Sequence, residues 1–137
     1  MSDALLSASQ ISISGLDAQA QRLRIISENI ANANSTSSKK GVDPYRRKII
    51  SFKNVLDGSS GDMAVKIAGI SVDKSPFILK YEPGNPAADT RGYVKYPNVN
   101  PVIEMADMRE ANRSYEANLQ VLRQSRELIT QTLGLLK

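Results

Sequence analysis

The chain contains neither histidine nor cysteine, so its reactive side chains are carboxylates, lysines, arginines, tyrosines and hydroxyls. An imidazole base, a thiol nucleophile, a disulfide framework and a zinc–thiolate site are therefore excluded. The best-spaced acids are Glu104, Asp107 and Glu110, three residues apart on a helical pattern. Such spacing could build a hydrolytic pair or bind calcium. At the N-terminus of a helix it more simply complements the positive end of the backbone dipole, and that is the expected role. The densest cationic run is Arg46-Arg47-Lys48. Clustered cations release counterions from phosphates, but this run lacks interleaved stacking aromatics and any nucleic-acid-binding motif. It fits a solvated strand edge or a contact with an acidic neighbour, and no nucleic-acid partner is expected. The segment EPGNP (82–86) is not followed by Lys-Ser/Thr, so it reads as a turn carrying interface contacts and not as a phosphate loop. No catalytic residue, metal or cofactor is expected.

Composition bounds what can position these groups. The chain has 137 residues, 41% of them hydrophobic but only 5% aromatic, with no Trp. That is too apolar for wholesale disorder and thin for a large self-sufficient core. Of the net +4, residues 39–57 alone carry +4, against −1 for 1–38, +1 for 58–100 and zero for 101–137. The N-terminus lacks a basic stretch followed by an apolar one, so no cleaved signal peptide is expected. No apolar run is long enough to span a membrane, so no direct membrane insertion is expected. The absence of cysteine leaves the redox compartment open.

Three parts follow from the hydrophobic period. In residues 1–34, Leu6, Ser9, Ile13, Leu16, Ala20, Leu23, Ser27 and Ile30 recur at alternating spacings of three and four, which predicts a long helix with a narrow seam. Residues 101–137 repeat the rhythm through Met105, Met108, Asn112, Tyr115, Leu119, Leu122, Arg126, Ile129, Leu133 and Leu136. A flanking stripe (Ala111, Val121, Leu128, Leu135) gives this second helix apolar surface on more than one side, so it expects several neighbours. Between them, residues 35–100 open with a polar loop and continue as short β-like stretches at 48–52, 64–72, 77–80 and 93–95, separated by turn-forming clusters. Pro97 and Pro101 hold the chain extended before the second helix. The fold class is α+β, with a small irregular β-rich insert between terminal helices. Burying the two seams does not offset the entropy of ordering so many helical residues, so the helices want partners.

The first helix ends in Asn29-Ile30-Ala31-Asn32-Ala33. Asparagine suits helix ends, where its amide can bond free carbonyls, so a C-terminal cap explains the sequence without further function. The same core also resembles the N-terminal signature of the flagellar rod and hook protein family. The segment 44–48 (PYRRK), the block 81–100 (YEPGNPAADTRGYVKYPNVN) and the stretch 111–122 (ANRSYEANLQVL) are similar to its proximal-rod members. The short insert agrees, because hook-like and distal-rod relatives carry larger central domains. The loop at 35–41 is not diagnostic.

The resemblance implies that the terminal helices pair as an inner coiled-coil layer and the insert projects outward. It implies a structural subunit of the proximal rod, which crosses the periplasm, transmits torque and surrounds the export channel. The implied partners are other copies, related rod proteins, the adaptor between the MS ring and export gate at the rod base, and the flagellar type III export apparatus. Export would proceed without a cleaved signal peptide. Subunit contacts are expected at Leu16, Leu23, Asn29, Ile30, Asn32, Tyr45, Arg46, Asn85, Asn112, Tyr115, Leu119, Leu122, Ile129 and Leu133. Asn112 and Arg126 are either register-setting contacts between subunits or seam-edge positions that reach solvent. The alternative class is a coiled-coil binding module such as an export chaperone.

Overall fold

The computed structural model describes residues 2–56, 61 and 63–135. In order, the elements are α1 (Ser2–Asn32), β1 (Lys48–Leu56), β2 (Met63–Val72), β3 (Ile78–Tyr81), β4 (Tyr93–Tyr96) and α2 (Pro101–Leu135). The helices pack together, and the strands form two antiparallel pairs, β1–β2 and β3–β4, so the fold is α+β as expected. Leu136, the last position of the expected C-terminal stripe, and most of the turn at 57–62 lie outside the described residues. Two compact units divide the chain. One gathers Met1–Leu23, Ile50–Gly69 and Arg109–Lys137, and the other Arg24–Ile49 and Ile70–Met108. Each unit contains part of both helices.

In the first unit, α1 and α2 run antiparallel: Gly15 meets Asn118, and Arg22 pairs with Glu110 at 3.8 Å. On α1 in this unit Ser12 and Ala18 are buried and Leu5, Ala8, Gly15 and Gln19 half-buried, while Leu6, Ile13 and Ala20 are exposed. The inward face is thus shifted toward small residues, and it overlaps the seam read from the large apolar side chains at Ser9, Leu16 and Leu23, which are half-buried. Small residues explain the shift. A Cβ on Gly15 would sit 2.8 Å from the Asn118 amide nitrogen, so Gly15 leaves room for the Asn118 side chain where a Leu or Ile would displace it. On α2, Ala111, Leu122 and Ser125 are buried, whereas Asn112, Arg126 and Leu133 are exposed. Strand β2 rests on α1 through a hydrogen bond from the Val65 amide to Ser14 Oγ at 3.3 Å.

In the second unit the ends of the helices are built by asparagines. Asn32 Nδ2 donates to the Glu28 carbonyl at 2.9 Å, closing the last turn of α1. Asn100 Oδ1 accepts from the Val102 amide at 3.0 Å, which caps α2, and Pro101 follows at the first helical position, where no amide hydrogen is needed. The β3–β4 hairpin pairs Ile78 with Tyr96 and Tyr81 with Tyr93. Val94 is its buried residue, and Pro97 and Val99, just after the hairpin, are buried as well. The hairpin loop holds itself together. Glu82 accepts from Asn85 Nδ2 at 3.0 Å and Tyr96 Oη at 2.9 Å, and Asp89 Oδ1 accepts from the amides of Arg91 and Tyr93. Gly92 closes it at φ +85°, a conformation natural to glycine.

Candidate functional site

The second unit contains a buried polar junction where α1, the start of β1 and the first turn of α2 meet. Its centre is Asn29, 1% exposed. Asn29 Oδ1 accepts from Tyr45 Oη at 2.8 Å and from the Lys48 amide at 2.9 Å. Asn29 Nδ2 donates to the Lys48 carbonyl at 2.9 Å and to Glu104 Oε2 at 3.1 Å. A carboxamide offers two donor hydrogens and two acceptor lone pairs, and all four are used. Asn29 is therefore an internal tie, and the capping role belongs to Asn32.

Glu104 is equally buried, at 1%. Its second oxygen accepts from Arg47 Nε at 2.5 Å, a charge-assisted bond that offsets the cost of enclosing a carboxylate. The same guanidinium lies 3.7 Å from Asp73 and 3.9 Å from Asp107. The Arg47 amide donates to Asn98 Oδ1 at 2.9 Å, and Asn98 Nδ2 donates to the Asp73 carbonyl at 3.0 Å. Lys48 Nζ pairs with the Glu28 carboxylate. Arg46 stacks over Phe77 with Cζ 4.1 Å from the ring centre. All three cations of the run thus have partners within the chain.

Electrostatics follow this wiring. Burial, with added negative potential from Glu28 and Glu104, pushes the Tyr45 phenol up to about 12, so it stays a donor to Asn29. The backbone and hydroxyl of Ser75, then Arg47 and Arg46, hold Asp73 below the usual carboxylate range. Asn85 and Tyr96 do the same for Glu82.

Of the other residues singled out from the sequence, Leu122 is buried within the chain, and Asn112 and Leu133 face outward. Leu16, Leu23, Ile30, Asn32, Tyr45, Arg46, Asn85, Tyr115, Leu119 and Ile129 are half-buried. Asn29 and Tyr45 come together at the junction; Asn85 instead braces the hairpin loop. Sequence reasoning missed Glu104, Arg47 and Asn98 as members of one network. Glu104 was legible only as an acid in the first turn of α2. Its inward position follows from the stripe Glu104, Ala111, Asn118 and Ser125, whose signal is small and polar residues at helical spacing.

Among the described residues no cluster of acidic side chains is arranged to hold a metal ion, and no helix is long and apolar enough to cross a membrane. A cavity of about 310 Å³ beside the hairpin is lined by Val42, Leu79, Tyr93, Lys95 and Asp89, without convergent acid–base groups. Internal ties with large apolar side chains left outward are the build of a structural subunit that assembles with others. Residues 10–37 match the family described as flagella basal body rod protein, and residues 90–135 match the flagellar basal body rod FlgEFG protein C-terminal family. A flagellar basal-body rod protein FlgC of Agrobacterium fabrum is 60% identical over 98% of this chain and 97% of its own. Its counterpart in Escherichia coli O6:H1 is 42% identical over 96% and 98%, and that of Borreliella burgdorferi 38% over 97% and 98%. The chain belongs to the FlgC family of flagellar basal-body rod proteins. It is a structural component of the flagellar basal body, not an enzyme, and the chaperone alternative is set aside.

Proposed function

We propose that the chain builds the proximal rod by stacking helically with other copies and with related rod proteins. The rod so formed crosses the periplasm, transmits torque and surrounds the export channel. The observation that carries this reading is the large apolar surface the helices leave outward. On α1, Leu6 is 53% and Ile13 50% exposed, and on α2, Leu133 is 60% exposed. Large apolar side chains left outward at helical spacing, as Leu6 and Ile13 are on α1, fit an association surface. The expected contact residues Leu16, Leu23, Leu119 and Ile129, half-buried in the chain, border those stripes. The adaptor at the rod base and the type III export apparatus are the further partners of this reading.

Ile13→Asp and Leu133→Asp test it. Both side chains are exposed, so the purified variants keep wild-type helix content by circular dichroism. In cells the same variants accumulate normally but are absent from purified basal bodies, and the cells do not swim. Normal basal bodies in either variant would overturn the reading.

A further inference from the structure

We propose that Asn29 is a positioning residue whose side-chain carboxamide stands in for a flanking strand and fixes where β1 begins. The Lys48 amide donates to Asn29 Oδ1 and the Lys48 carbonyl accepts from Asn29 Nδ2, both at 2.9 Å. Exchange of both bonds with one residue is what a neighbouring strand provides in an antiparallel ladder. Strand β1 opens at Lys48. The preceding carbonyl, of Arg47, accepts from the Asp73 amide at 2.8 Å, on the side of β2. Backbone groups alternate sides along a strand, so those of Lys48 point to the edge that no strand covers among the described residues. Half-buried backbone groups there need partners, and Asn29 supplies them.

The chemistry selects asparagine. Aspartate keeps the acceptors but loses the donor to the Lys48 carbonyl and to Glu104. Leucine or alanine offers neither, and glutamine carries its amide one methylene further out. Because the same amide also holds Tyr45 and Glu104, one side chain on α1 sets the start of the insert against the start of α2. Every copy in an assembly then presents the insert in the same register, the use to which a single buried polar residue is best suited.

The test uses the full-length chain. In Asn29→Ala, hydrogen exchange at the Lys48 amide rises at least roughly tenfold relative to the β3–β4 amides of the same molecule. Tyr45→Phe, which removes only a donor to the same oxygen, leaves Lys48 within about threefold of wild type. Should Asn29→Ala not fold, Asn29→Asp gives an independent readout. A protonated carboxyl restores one donor and one acceptor, while the ionised form faces the Glu104 carboxylate; Glu28, Tyr45, Arg47 and Lys48 are the other ionisable groups around it. The melting-temperature deficit of Asn29→Asp against wild type therefore shrinks by about half or more between pH 7.5 and pH 5. In cells, Asn29→Ala chains are lost from basal bodies and Tyr45→Phe chains are retained. This last arm rests on the rod reading; the exchange and pH arms do not, so the two failures are distinguishable. Unchanged Lys48 protection in Asn29→Ala, equal effects of both substitutions, or a pH-independent deficit would overturn the proposal.

Discussion

Arg47, one residue before β1, places its Nε 2.5 Å from a carboxylate oxygen of Glu104 in the first turn of α2. Because Glu104 is 1% exposed, that carboxylate cannot turn to water for compensation. Removing one partner of an enclosed pair costs far more than the pair's net worth. Arg47→Ala is expected to destabilise the chain by about 3–5 kcal/mol in urea titration. Arg47→Lys recovers only part, because an ammonium cannot reach Glu104, Asp73 and Asp107 together as the planar fork does.

At Gly15 two effects oppose each other. Alanine there gains helix propensity of about 1 kcal/mol, but its Cβ meets the Asn118 amide at 2.8 Å. Gly15→Ala is expected to lose about 1–3 kcal/mol through that overlap. Combining it with Asn118→Ala removes the overlap and releases the propensity gain. A double-mutant cycle by thermal unfolding should give a coupling of at least about 1 kcal/mol.

The hairpin should be sensitive to acid. Asp43 is held below its ordinary range by Lys95, Asp73 by Ser75, Glu82 by Asn85 and Tyr96, and Asp89 by the backbone of Tyr93. Depressed carboxylates contribute stability above about pH 4 and lose it as pH falls through their folded values. At the other extreme, Tyr45 rises from 10.0 to about 12, so its contribution is complete below pH 10 and lost between there and 12. Amide spectra of the β3–β4 loop followed against pH should show disorder setting in below about pH 4. Glu82→Gln, which removes one titrating group, should make that onset less steep.

Gly92 has φ +85°, and a Cβ there would approach the Tyr81 ring at 2.8 Å. Gly92→Ala combines a left-handed backbone with a displaced ring, so a loss of about 1–3 kcal/mol is expected from the backbone alone. Near-ultraviolet circular dichroism should also change, because Tyr81 and Tyr93 are packed edge to face with centroids 5.3 Å apart.

The two helices and the strands at 48, 64, 77 and 93 were readable because period and turn chemistry are local properties. The frame of the helix pairing was not. Reading for large apolar residues selects Leu6 and Ile13, which are exposed, whereas the positions buried beside them are the small Ser12 and Ala18. Which stripe turns inward depends on what the opposite helix offers, here Asn118 and Ala111. The junction was half legible. The asparagine-rich helix end was visible, but Asn29, Lys48 and Glu104 are separated by 19 and 75 residues, and no local pattern links them. The cationic run was legible as charge but not as three separate destinations.

The small and polar inner stripe of the helices has a genetic consequence. Substitutions at Ser12, Gly15 or Ala111 act on the fold of one chain, whereas on the proposed rod reading those at Leu6, Ile13 or Leu133 leave that fold alone and act on its union with others. Suppressors of the first kind should arise only within the same gene, at positions packed against the substituted one, and suppressors of the second kind also in the genes of related rod proteins.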